Sequence, residues 1–73
     1  MTEFQNGAIV VSRNSDAIGR IVVGDVGFVK VSGKQRVGNR IVSFSTFFEH
    51  ISVIKRNWRL ATDEEVRRYF DAD

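Results

Sequence analysis

The sequence predicts a mainly β fold: a small barrel of about five antiparallel strands with a short C-terminal α-helix. Three observations carry that expectation. Short segments rich in β-branched residues recur between turn signals, the gaps between them are too brief for crossover helices, and the apolar period changes only at the end of the chain. At 73 residues the chain has room for one core, so a single domain over 1–73 is expected, with the barrel in 1–60 and the helix in 62–70.

The expected strands are Ala8 to Ser12, Arg20 to Val23, Val26 to Val31, Arg40 to Phe44 and Ile51 to Lys55. Their separators are Arg13 to Asp16, Gly24-Asp25, Gly33 to Asn39, and Ser45 to His50. Alternation puts Val29 and Val31 on one face and Phe28 and Lys30 on the other, leaving Phe28 either exposed or covered by the C-terminal helix. In the stretch Ser45 to Ile51 a short turn joining two strands is preferred. Trp58 is expected to bury its ring where the last strand meets the helix.

That helix is announced by "LATDEEVRRYF". Thr62 and Glu65 have the spacing of a capping box, and Asp63 and Glu64 favour the positive end of the helix dipole. Val66, Tyr69 and Phe70 fall at i, i+3 and i+4, so one apolar stripe should dock on the barrel, with Tyr69 and Phe70 closing an open end.

Composition narrows the function classes. The chain has no cysteine, which removes disulfides and thiolate metal sites. Its single histidine, His50, lacks partners for a zinc shell or a base, and no serine sits on a strand-to-helix elbow. The carboxylates gather in the terminal helix, where capping explains them. The glycine-lysine pairs lack the spacing of a phosphate loop and no helix follows Lys34. No enzyme activity and no cofactor are therefore expected. The longest apolar runs are far too short to cross a bilayer and no leader is visible, so a cytoplasmic protein without membrane contact is expected.

Charge is distributed unevenly. Met1 to Arg59 holds nine basic and four acidic residues, a balance of +5, whereas Leu60 to Asp73 holds two arginines and five carboxylates, a balance of −3. Within the basic body, Lys30, Lys34, Arg36 and Arg40 surround the Gly33 to Asn39 turn with no acid between Asp25 and Glu49, and Lys55, Arg56 and Arg59 gather beside Trp58. Clustered cations release counterions from phosphate backbones, and an exposed aromatic stacks on unpaired bases. The same cations also keep β turns and sheet edges soluble.

The stretch from Gly24-Asp25-Val26 through Phe44 resembles the KOW motif of ribosomal and transcription-elongation proteins. Gly24-Asp25, Val29-Lys30-Val31, Gly33-Lys34, Gly38 and Ile41-Val42 hold the matching places, over about a third of the chain, while Gln35-Arg36-Val37 replaces the usual lysine-glycine pairs of the loop. The resemblance implies an SH3-like barrel whose loop, at Lys34 and Arg36, faces nucleic acid or a protein. The layout ending in "WRLATDEEV" is also similar to small accessory proteins of bacteriophages, which implies a binding role.

The expected function is a non-catalytic binding module that contacts DNA or RNA phosphates through Lys30, Lys34, Arg36 and Arg40, with Arg20, Lys55 and Arg56 nearby and Phe28 or Phe48 stacking on bases. The alternative is an inhibitor or adaptor that meets a host protein through the same face. Either a monomer or a homodimer paired at barrel edges fits the sequence.

Overall fold

The computed structural model describes residues 4–71, with side chains through Arg68. The class is as expected: an antiparallel sheet, mainly β, followed by a C-terminal helix. The strands are β1 (Ile9–Ser12), β2 (Ala17–Val23), β3 (Phe28–Val37), β4 (Arg40–Ser45), β5 (Glu49–His50) and β6 (Trp58–Leu60), with helices α1 (Ile51–Asn57) and α2 (Asp63–Asp71). The sheet order is β4-β3-β2-β1-β6, with β5 continuing along β3 beyond β4. The sheet is open, because β4 and β6 form its two edges.

Local chemistry fixes the turns. Between β1 and β2, Ser12 Oγ accepts from the backbone N–H groups of Asn14 (3.0 Å) and Ser15 (3.1 Å), folding the Arg13 to Asp16 segment back on itself. Between β2 and β3, Phe28 N–H donates to Asp25 O at 2.9 Å, and Gly27 takes φ 76° at the third turn position, as a type II turn requires. The β3–β4 hairpin closes on Val37 and Arg40 with only Gly38-Asn39 between them. Gly38 has φ 63° while Asn39 does not share the positive φ, the pattern of a type II′ turn.

Three expectations need correction. Gly33 lies in mid-strand, not in a turn: β3 runs unbroken to Val37, and Gly33 pairs with Gly19 of β2. Ile51 to Lys55 is helical; His50 caps α1 by accepting from Ser52 N–H at 3.2 Å, and the helix turns Ile54 into the core. The Ser45 to His50 segment is more than a turn. Ser45 pairs with Ser32 and Glu49 with Val29, so three residues, Thr46 to Phe48, stand against two, Lys30 and Val31. This one-residue bulge is held by Thr46, whose N–H donates to Val31 O and whose Oγ1 accepts from Val31 N–H, both at 2.9 Å.

The core lies on one face of β1–β3 under α1. It comprises Val10, Ala17, Ile21, Val29, Val31, Ile54 and Trp58, with Phe44, Leu60 and Ile51 packed against it. Val10, Ile21, Val31 and Ile54 are the largest fully buried side chains, each contributing about 1.5–3 kcal/mol by leaving water. Trp58 is buried as the sequence predicts, its ring stacked on Phe44 at 5.9 Å. The expected capping box is present: Glu65 N–H donates to Thr62 Oγ1 at 3.2 Å and Thr62 N–H to Glu65 Oε1 at 2.8 Å. The expected closure by Tyr69 and Phe70 lies outside the described side chains.

Candidate functional site

Strand register decides which cations share a surface. Paired residues of antiparallel strands project to the same side, and alternate residues of one strand project to opposite sides. In β3, Val29 and Val31 face the core, so Phe28, Lys30, Ser32, Lys34 and Arg36 face away from it. Ser32 pairs with Arg20, Lys30 with Val22, and Lys34 with Ser43. Five of the eight residues singled out from the sequence, Arg20, Phe28, Lys30, Lys34 and Arg36, therefore occupy one outer face.

The other three lie elsewhere. Arg40 pairs with Val37 and so takes the core-side face at the hairpin tip. Lys55 and Arg56 are exposed in the last turn of α1, the helix that covers the core side.

A shallow depression of about 350 Å³ sits at the centre of the outer face, lined by Arg20, Val22, Ser32, Gly33, Lys34, Ser43 and Phe44. Two hydroxyls and two cations line it together, a set of donors suited to anionic oxygens. Ser32 and Ser43 escaped sequence reasoning, although Ser32 has the same parity as Lys30 and Lys34 and was legible from alternation; Ser43 became visible only through register.

The two ends of the face differ in chemistry. At one end Arg36 Nε lies 3.3 Å from Asp16 Oδ2, both side chains more than half exposed, a geometry worth at most about 1 kcal/mol. At the other end the aromatics gather. Phe28 is 45% exposed and meets the His50 ring edge to face at 6.0 Å. Lys30 Nζ stands 5.2 Å from the centre of the Phe48 ring, a cation–π distance, and Phe28 and Phe48 line a second hollow with Gly24 and Asp25. The bulge produces this arrangement, because it re-aims Phe48 across Gly24 and leaves Phe47 89% exposed.

The acidic helix meets this face at its far side. Arg59 pairs with Val11 in register, and Val11 with Ile18, so Arg59 lies on the outer face two strands from Arg20. Its guanidinium grips Glu65 through two hydrogen bonds, 3.0 and 2.9 Å. That grip, together with the Thr62 N–H bond, holds the Glu65 carboxyl well below the usual range, at about 2. Glu64 is engaged by Arg68 at 3.4 Å. Among the described residues no three His, Asp or Glu side chains converge as a metal site, and no helix is long and apolar enough to cross a membrane.

No protein-family model, curated protein or solved structure matches this chain.

Proposed function

We propose that this chain is a non-catalytic module that binds DNA or RNA through the outer face of β2–β3. Phosphates are held by Arg20, Lys30, Lys34 and Arg36, and unpaired bases stack on Phe28 and Phe48. The supporting observation is the register that lines up Lys30, Lys34 and Arg36 along β3 and sets Arg20 beside Ser32. Charge contacts of this kind supply affinity without reading sequence, while the aromatic end adds tolerance for any base.

Two double charge reversals of equal net charge separate a face from mere basicity. Fluorescence anisotropy with a labelled oligonucleotide, followed from low to moderate salt, should show affinity falling steeply as salt rises. Arg20→Glu with Lys34→Glu should weaken binding at least tenfold and flatten the salt slope by about two, roughly one per lost phosphate contact. Lys55→Glu with Arg56→Glu should have a much smaller effect. Equal losses in the two double variants, or binding indifferent to salt, would overturn the proposal.

A further inference from the structure

Among the described residues, nothing pairs with the outer edge of β4, a hydrogen-bonding ladder. Val37 and Arg40 close a two-residue hairpin, and Thr46 N–H donates to Val31 O. Residues 40, 42, 44 and 46 therefore turn their backbone groups toward β3, while Ile41, Ser43 and Ser45 turn theirs outward. No described element pairs with that side. Edge strands are ordinarily blunted by lysine, proline, a bulge or shortness. β4 spans six residues, "RIVSFS", with neither lysine nor proline, and the bulge begins only after Ser45. Ile41 is 57% and Val42 38% exposed.

We infer that β4 pairs antiparallel with β4 of a second copy of this chain, about a twofold axis through Ser43. Parity restricts the choice, because only odd-numbered residues offer outward groups. Centring on Ser43 sets Ile41 against Ser45 of the other copy and uses all three outward residues. It also sets Val42 against Phe44 twice on the core side, an apolar match at the centre of the pair.

Charges favour a second copy over an unrelated strand. Arg40 is the one charge on β4, and in this register it lies against Thr46 of the other copy, running toward Glu49. Arg40 and Glu49 share the core-side face, since they pair with Val37 and Val29 of β3. When the edge meets itself, the cation at one end of each copy is brought to the end that carries the other copy's acid, three residues beyond Thr46, and no cation opposes a cation. Same-side pairing also extends the sheet, so the Arg20 and Lys34 faces of both copies lie on one side.

One strand pair buries little area, placing the dimer among small, transient interfaces, with a dissociation constant on the order of 10–100 μM. Sedimentation velocity across that range, without nucleic acid, should show monomer passing to dimer. Ser43→Pro removes an outward N–H and spares the β3 ladder, so it should keep the β circular dichroism and weaken dimerisation at least tenfold. A separate measurement covers the case in which that variant fails to fold. The chain has no cysteine, so Ser43→Cys introduces a lone thiol at the axis, which should cross-link with a short bismaleimide at least tenfold faster than Ser52→Cys on exposed α1. A wild-type monomer throughout, a folded Ser43→Pro variant that dimerises normally, or equal cross-linking at the two positions would each overturn the inference.

Discussion

At Gly33 a methyl group has nowhere to go. A Cβ built there would collide with the carbonyl oxygen of Ile18 and the Cα of Gly19, both backbone atoms that no side-chain rotation relieves. At its partner Gly19 the intruders would be Val31 Cγ1 at 2.6 Å and Ser32 O at 2.9 Å. The two glycines let β2 and β3 approach closely where the outer face is hollowed between Arg20 and Lys34. Gly33→Ala should therefore destabilise the fold by about 2–3 kcal/mol, a large share of what a domain this size possesses, read as a fall in urea midpoint at unchanged slope. Gly38→Ala is the contrasting substitution, since its Cβ would meet open space and the cost would come from its positive φ alone. The sequence shows six glycines but not which of them oppose each other, because pairing depends on register, and register is settled by tertiary burial. That is why Gly33 reads as a turn glycine when taken in sequence.

Among the elements, α2 has the most visible chemistry. Its capping box is legible because donor, acceptor and spacing are all local, and the structure adds Arg59, whose grip on Glu65 braces the helix start against β6. Glu65 is held down at about 2, first by the Arg59 hydrogen bonds and then by Thr62 N–H. A carboxyl depressed in the folded state contributes stability that is fully present above its unfolded value near 4.3, and that contribution is lost as pH falls toward 2. Acid titration followed by helical ellipticity should show loss between about pH 4.5 and 2, and Glu65→Gln should remove that component while lowering stability at neutral pH. An unchanged acid profile in Glu65→Gln would disprove the assignment. The opposite case is α1. "ISVIK" alternates well enough for a strand, its first turn has no acid, and its cap is a histidine, so no start signal distinguishes helix from sheet. What decides is the core: a helical turn from Ile51 brings Ile54 down beside Val31 and Trp58, a contact between distant parts of the chain.

Over the whole molecule, the sheet separates two chemistries that are mixed along the sequence. Val10, Ile21, Val29 and Val31 pack with Ile54 of α1 on one side, and the cations of β2 and β3 are displayed on the other, beside Val22. Alternation makes the Lys30 and Val31 sides legible, whereas nothing local shows that Arg40, at the hairpin tip, and the separate Lys55 and Arg56 cluster, on a helix, lie apart from the face. The order of the strands has a consequence in time as well. β1 to β4 form a meander in which each strand pairs with its neighbour in sequence, but β6 must return to β1, with Leu60 opposite Val10, a separation of 60 − 10 = 50 residues. Closing that span costs chain entropy that the hairpins do not incur, so β6 should join after the main folding barrier. Stopped-flow folding of Leu60→Ala should then show faster unfolding with refolding nearly unchanged, while Val31→Ala, inside the meander, should slow refolding. If Leu60→Ala slows refolding as much as Val31→Ala does, the meander does not form first. Under the proposed order, the β1–β6 seam acts as a latch that sets how long the native state lasts, not how quickly it is reached.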